Sequence, residues 1–236
     1  RGIVVLQDPT YALSADVTDT DPGDEGKPIL KCRPRDKANP NACRTADLVN
    51  DLSEQALQIL REEPAANSML LRGFSENPSL RSLADLHGLE ALAIADYPLY
   101  RGIAKMFGMT LCDPVPSLQD KVDQFRENYA SYTFFYIHYK TTDSKGEDKD
   151  FRGKVKALED FDRVVPDILD VIDLTSDTIA ITGDHSTPSL VGAHTHHPVP
   201  LLLYSGYPDH HDASSSFSEL QCAGGTFGRI RGAELM

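Results

Sequence analysis

The sequence predicts an α/β fold, in which a sheet is covered by helices and preceded by part of a smaller α+β domain. Apolar runs of strand length alternate with helix-length amphipathic segments from about residue 79 onward, a pattern typical of α/β folds. Residues 66–80 are rich in turn-forming residues and predict a domain boundary near residue 75. Polar loops flank the later strands, where open α/β sheets place functional groups. We therefore assign residues 1–75 to the smaller domain and residues 76–236 to the core.

The first 75 residues predict two short strands, a long loop and one helix. Residues 3–6 and 15–18 contain the β-branched residues of the two strands. Thr45 can cap a helix over residues 46–62, because apolar residues recur there near the 3.6-residue period. Pro64 then ends the helix.

The core segment predicts helices and strands in turn. The helix patterns cover residues 79–87, 100–107, 117–129 and 153–173. An apolar run at 91–95 is followed by strand patterns at 134–139, 178–182 and 199–204. The last helix has a continuous apolar face and contains Pro166, which predicts a kink.

The composition is that of a globular protein with a large excess of acidic residues. The chain has 236 residues, of which 40% are hydrophobic and 25% charged, and a formal net charge of −13 at pH 7. This charge repels phosphate backbones and argues against a nucleic-acid partner. No segment reaches the roughly 18 apolar residues of a spanning helix, and the first residues lack the layout of a signal peptide. We predict a cytoplasmic protein with no membrane partner.

The cysteine pattern agrees with the predicted cytoplasmic location. The four cysteines form no C-x-x-C pair, which argues against a structural zinc site or a redox motif. We expect free thiols in a reducing cytosol.

Three clusters of potential metal ligands lie at the ends of the predicted strands. The first contains Asp143 and Glu147, four residues apart around a glycine; the second is the adjacent pair Asp184 and His185; the third contains His194. Carboxylate oxygens and imidazole nitrogens suit borderline divalent ions such as Mn²⁺ or Zn²⁺. Together the clusters predict a two-metal site for hydrolysis or group transfer.

Each cluster also has a purely structural interpretation. An isolated D-x-x-x-E motif is common in solvated loops and at helix starts, and an Asp-His pair can simply cap a turn. The histidine-rich run can be a surface patch. The position of all three clusters next to successive strands favours the metal site. We do not assign His196, His197, His210 or His211 as ligands, and we assign the hydroxyls of Ser186 and Thr187 to backbone groups of the turn.

Several motifs carry a resemblance to a known family. The sequence T-G-D-H-S-T-P at 182–188, followed by H-T-x-x-P-V-P at 194–200, closely resembles the archaeal-type, cofactor-independent phosphoglycerate mutases of the alkaline phosphatase superfamily. The stretches at 17–22 and 140–143 agree with the same family. The resemblance implies an alkaline-phosphatase-like core over residues 76–236 and part of a substrate-clamping cap domain before it.

The resemblance implies that the ligands bind two divalent ions. Asp184 and His185 would bind one ion, and Asp143, Glu147 and His194 would bind the other. Family members commonly have a histidine at the position of Glu147. The carboxylate in this chain favours Mn²⁺ or Mg²⁺ over Zn²⁺, because a carboxylate is the harder ligand.

The resemblance also implies a small anionic phosphorylated substrate. Arg72 and Arg101 can each hold a phosphate or carboxylate as bidentate cations, and Asp21 is a third substrate-binding candidate. The implied reaction interconverts 3-phosphoglycerate and 2-phosphoglycerate in glycolysis and gluconeogenesis. It passes through a phosphoserine intermediate at a two-metal site and needs no 2,3-bisphosphoglycerate.

The nucleophilic serine of this reaction is expected upstream of residue 1. The chain starts with Arg1, and residues 3–6 read as a strand already under way, so we expect the chain to match only the later part of a family member. No residue is therefore assigned as catalytic, and the isolated chain is expected to be inactive. A metal-dependent phosphatase or phosphodiesterase of the same superfamily and a noncatalytic metal-binding fragment remain alternatives. The oligomeric state is not predicted.

Overall fold

The chain is divided into two compact units in the computed structural model, which describes residues 2–76, 78–206 and 212–236. Unit 1 covers Arg1–Ser79 and unit 2 covers Leu80–Met236. The division lies close to the predicted boundary, while the assignment of the units to a cap and a core stays a prediction. Asn77 of the predicted hinge and the two histidines at 210 and 211 lie outside the described residues.

Unit 1 is organised by the 21-residue helix α1 (Pro40–Leu60). Its cap is Asn39, whose side chain accepts hydrogen bonds from two backbone amides of the first turn. The prediction that Thr45 caps this helix was wrong, because Thr45 lies inside it and donates its hydroxyl to the Asn41 carbonyl. Proline at the first helical position, where no amide partner is needed, marks the true start.

The two strands predicted in unit 1 are not formed. Residues 3–6 have no regular secondary structure, and of residues 15–18 only Val17 makes an isolated antiparallel bridge, to Pro34. Ile3 and Val5 are exposed, because no strand of the described residues lies beside them for their β-branched side chains to pack against. Val17 instead contributes to an apolar core with Cys32 and the inner face of α1.

Unit 2 contains a three-stranded parallel sheet with the order β2-β1-β3. The strands are β1 (Ala91–Ile94), β2 (Thr110–Leu111) and β3 (Phe134–Ile137). In the register, Leu92 of β1 lies opposite Thr110 on one side and Phe135 on the other. All four residues of β1 are buried, as expected for the central strand of a parallel sheet. The two-residue strand β2 is too short to be recognised from a sequence pattern.

Helices pack around this sheet at nearly the predicted positions. They are α2 (Leu83–His87), α3 (Pro98–Met106), α4 (Leu118–Asn128) and α6 (Phe151–Leu169). The core joins the central strand to α4 and α6 through Leu92, Val122, Phe125 and Ile168. No helix in the described ranges is both long and apolar enough to cross a membrane.

A second sheet pairs β4 (Thr178–Thr182) with β5 (Leu201–Ser205). The pair is antiparallel, with Thr178 opposite Ser205. Near the end of the chain the short helix α7 (Glu219–Cys222) follows. The predicted α/β class is confirmed, and all four cysteines are free thiols as predicted.

We expect Phe125→Ala to destabilise the protein by about 3–5 kcal/mol. Phe125 is only 4% exposed and makes edge-to-face contacts with Tyr129 and Phe135, with ring centroids 5.7 and 4.8 Å away. Urea unfolding measures the change. Phe151→Ala is the matched control, because Phe151 is 68% exposed and its loss should cost less than about 0.5 kcal/mol. Equal losses in the two variants would contradict the core assignment.

Candidate metal centre

Three potential metal ligands from separate segments of unit 2 converge in the structure. Asp143, His185 and His194 each offer a ligand atom within 4.8 Å of the others. Asp143 Oδ1 lies 3.7 Å from His185 Nδ1 and 3.5 Å from His194 Nε2. Ligand atoms that each lie about 2.0–2.2 Å from one ion are roughly 3–3.5 Å apart. The 3.5 Å between Asp143 and His194 fits this spacing, so a divalent ion could bind between them after small side-chain adjustments, and the carboxylate and imidazole donors fit such an ion.

A backbone bridge brings the two histidine segments together. The Thr195 amide donates to the Ser186 carbonyl at 2.9 Å, in an isolated antiparallel bridge. His185 and His194 precede the two bridged residues, and their rings stack with centroids 3.8 Å apart. The bridge thus brings His185 and His194, which belong to separate sequence motifs, into contact.

Glu147 joins this group because the segment that carries it is helical. The structure forms α5 (Thr141–Glu147) here, where the sequence predicted a loop. Residues four apart lie on the same face of a helix, so Asp143 and Glu147 point the same way. Glu147 Oε1 lies 3.6 Å from His194 Nε2.

Asp184 lies on the other side of His185. Its Oδ2 atom is 3.3 Å from His185 Nε2 and accepts a hydrogen bond from the Tyr100 hydroxyl. Burial and the bond to Asp184 raise the pKa of Tyr100 well above its ordinary value, so this hydroxyl keeps its proton. The contact between Tyr100 and Asp184 was not predictable from the sequence, because it spans 84 residues of chain.

The charges around the cluster favour a cation. Asp143, Glu147 and Asp184 supply three carboxylates, and Lys140 forms an ion pair with Asp143. Burial alone would raise the pKa of Asp143, but hydrogen bonds from Lys140 and Thr187 hold that pKa below its ordinary value. Asp143 is therefore ionised at neutral pH and available as a ligand. How the five predicted ligands divide between two ions stays a prediction.

Arg101 lies at the carboxyl end of the parallel sheet. Its Nη1 atom donates to the carbonyls of Ala95 at 2.9 Å and Cys112 at 2.5 Å. These carbonyls follow β1 and β2, so the guanidinium caps the carboxyl ends of two adjacent strands. This structural contact was not predicted, and a role of Arg101 in substrate binding stays a prediction.

The other two substrate-binding candidates are neighbours in unit 1. Arg72 Nη1 lies 3.4 Å from Asp21 Oδ2, and the Arg72 side chain is 64% exposed while that of Asp21 is 19% exposed. Asp21 also accepts a hydrogen bond from the Gly23 amide at 2.8 Å. The carboxylate is thus fixed by the loop and can orient an exposed guanidinium. Their role in substrate binding stays a prediction.

Comparisons with known proteins match both parts of the chain. Residues 50–236 match the model of the Metalloenzyme superfamily, and residues 1–66 match that of 2,3-bisphosphoglycerate-independent phosphoglycerate mutase. A probable 2,3-bisphosphoglycerate-independent phosphoglycerate mutase of Thermus thermophilus is 44% identical over 100% of this chain and 57% of its own length. A protein of the same name from Thermotoga maritima is 40% identical over 95% of this chain and 54% of its own length. The chain thus spans little more than half the length of these relatives.

Two solved structures have similar folds. The PH0037 protein from Pyrococcus horikoshii superposes with a TM-score of 0.75 at 30% identity, over 83% of this chain and 56% of that protein. The cofactor-independent phosphoglycerate mutase from Thermoplasma acidophilum superposes with a TM-score of 0.61 at 24% identity, over 94% and 56% of the two chains. The second likeness shows the fold alone. The family models and the relatives confirm the resemblance that the motifs indicated.

We expect Gly146→Ala to lower the affinity for Mn²⁺ measured by titration calorimetry. A Cβ atom at Gly146 would lie 2.2 Å from the Thr187 carbonyl oxygen, so α5 and Asp143 would have to move away from the histidines. Alanine favours helix formation over glycine by about 1 kcal/mol, but this gain does not remove a clash with backbone.

Gly102→Ala is the matched control for that variant. Gly102 is also helical, and a Cβ atom there would meet nothing within 4 Å. We expect unchanged Mn²⁺ affinity. If Gly146→Ala bound Mn²⁺ as tightly as Gly102→Ala, the close contact of α5 would not be needed for the site.

Proposed function

This chain belongs to the Metalloenzyme superfamily, and from this premise we propose that it supplies the metal-binding part of a cofactor-independent phosphoglycerate mutase. The proposed reaction interconverts 3-phosphoglycerate and 2-phosphoglycerate, in glycolysis and gluconeogenesis, without 2,3-bisphosphoglycerate. The names of the relatives from Thermus thermophilus and Thermotoga maritima support this proposal. The activity of a whole protein is part of the proposal, because the chain spans 57% of the first of these relatives.

The observation that carries the proposal is the convergence of Asp143, His185 and His194 within 4.8 Å. Asp184 and Glu147 lie beside the two histidines, at 3.3 and 3.6 Å. We assign Asp184 and His185 to one divalent ion, and Asp143, Glu147 and His194 to a second. The three carboxylates favour Mn²⁺ or Mg²⁺ over Zn²⁺.

Bound divalent ions would supply charge neutralisation for the transferring phosphoryl group and would lower the pKa of an attacking hydroxyl. The residues of this chain prepare the ligands for that role. Lys140 keeps Asp143 ionised, and Tyr100 donates to Asp184. We assign no residue of this chain as the nucleophile that accepts the phosphoryl group.

The substrate is a small phosphorylated anion, which an acidic protein can bind only through local cations. The net charge of −13 repels it at long range. We propose that Arg72, oriented by Asp21, and Arg101 contact its phosphate or carboxylate group. A cytoplasmic location is part of the proposal, because four free cysteines suit a reducing compartment.

Binding of Mn²⁺ should stabilise the chain through the proposed site. An ion that binds only the folded state, at a concentration of 100 times its dissociation constant, adds about 2.7 kcal/mol of stability. We expect the thermal midpoint to rise with Mn²⁺ in the wild-type chain and to rise much less in Asp143→Asn. His196→Ala is the control, because His196 is an exposed histidine two residues after His194 in the sequence and is not assigned as a ligand. An equal rise in all three chains would show that the ligands are misassigned.

The mutase activity is tested on the natural gene product that contains these 236 residues. Turnover of 3-phosphoglycerate with Mn²⁺ is followed through coupled enolase. We expect Asp143→Asn to lose at least about 100-fold in kcat/KM, since even removal of a hydrogen-bond partner of a ligand commonly costs 10–100-fold, while His196→Ala stays near wild type. Release of inorganic phosphate faster than isomerisation would favour a phosphatase. Mn²⁺ binding with neither activity would favour a noncatalytic module.

A further inference from the structure

Thr187 occupies a central position in the candidate metal centre. It is 3% exposed, and its hydroxyl oxygen lies 2.5 Å from Asp143 Oδ1 and 3.1 Å from His185 Nδ1. One buried hydroxyl therefore contacts two residues that are predicted ligands of different ions.

This placement differs from the role that the sequence predicted. The loop hydroxyls were assigned to backbone groups, and Ser186 fits that prediction because its hydroxyl donates to the His197 carbonyl at 3.4 Å. The hydroxyl of Thr187 contacts side chains instead. Its backbone is held separately, since the Thr187 carbonyl accepts a hydrogen bond from Lys154 Nζ at 2.6 Å and packs against Gly146.

The directions of the two hydrogen bonds follow from counting protons. A threonine hydroxyl has one proton to donate and lone pairs that accept. An ionised carboxylate only accepts, so the Thr187 hydroxyl donates to Asp143. The oxygen is then left to accept from His185, which requires a proton on Nδ1.

With its proton on Nδ1, a neutral His185 has its lone pair on Nε2. That atom faces Asp184 Oδ2 at 3.3 Å. Two lone-pair atoms repel each other at this distance unless a cation binds both of them. Histidines that bind metals commonly donate their other ring N–H to a nearby acceptor, which sets the tautomer and the ring orientation.

We propose that Thr187 is a positioning residue, which holds His185 in the Nδ1–H tautomer so that Nε2 and Asp184 can bind one divalent ion. The same hydroxyl orients Asp143 by donating to it. Thr187 thereby couples the two halves of the site without being a ligand. This inference rests on the proposed metal centre.

The first test reads the tautomer in the metal-free chain. Nitrogen-15 NMR of the His185 ring is recorded about two units above the ordinary histidine pKa of about 6.5, and its signals are assigned by their loss in His185→Gln. We expect the Nδ1–H form in the wild type and in Thr187→Ser, which keeps the hydroxyl. In Thr187→Val, which keeps the shape but loses the acceptor, we expect a shift toward the Nε2–H form that Asp184 favours. An unchanged tautomer in Thr187→Val would overturn the inference.

The second test measures Mn²⁺ affinity by calorimetry on the same chains. We expect Thr187→Val to bind about 10–100-fold more weakly than wild type and Thr187→Ser to recover most of the loss. A general packing defect would weaken binding in both variants without changing the tautomer, and that result would also overturn the inference. If the wild type binds Mn²⁺ and Thr187→Val binds it equally, only the role of Thr187 fails. If the wild type itself binds no Mn²⁺, the proposed function fails and this inference fails with it.

Discussion

The close contact between helix α5 and the loop after β4 is the constraint on which the site depends. Gly146 allows this contact, because any side-chain carbon there would lie 2.2 Å from the Thr187 carbonyl oxygen. The contact places Asp143 beside the two stacked histidines. It also buries the Thr187 hydroxyl against Asp143 and His185. A glycine in a helix lowers stability by about 1 kcal/mol relative to alanine. At this position the absence of a side chain allows Asp143 to approach the histidines.

Electrostatics then determine what the assembled site can hold. Three carboxylates lie within reach of two histidines, and Lys140 balances part of their charge through Asp143. Tyr100 keeps its proton and donates to Asp184, and hydrogen bonds from Lys140 and Thr187 hold the pKa of Asp143 below its ordinary value. Such a group of oxygen and nitrogen donors is suited to a divalent cation and unsuited to direct contact with an anion.

Errors in the sequence predictions have identifiable physical causes. The residue type of Thr45 is suitable for a helix cap, whereas Asn39 is the residue whose side chain accepts hydrogen bonds from free amides. The polar composition of residues 141–147 favours a loop, yet the segment forms a helix. The spacing of four places Asp143 and Glu147 on one face of this helix, and their role as ligands of one ion stays a prediction. The sequence does not predict the contact of Tyr100 with Asp184, and it assigns the Thr187 hydroxyl to backbone groups, because the contacts of Tyr100 with Asp184 and of Thr187 with Asp143 span 84 and 44 residues.

The α/β class, the approximate places of most helices and strands in unit 2, and the chemical types of the candidate ligands are predictable from the amino-acid sequence. These properties are local, since they follow from apolar periodicity and from the functional groups of single residues. Three features are visible only in the tertiary structure. Strands β4 and β5 pair antiparallel, and the Ser186–Thr195 bridge brings two histidines into a stacked pair. Thr187 lies between Asp143 and His185. These are distances between segments far apart in the chain, and they are set by packing and hydrogen bonds that no single segment encodes.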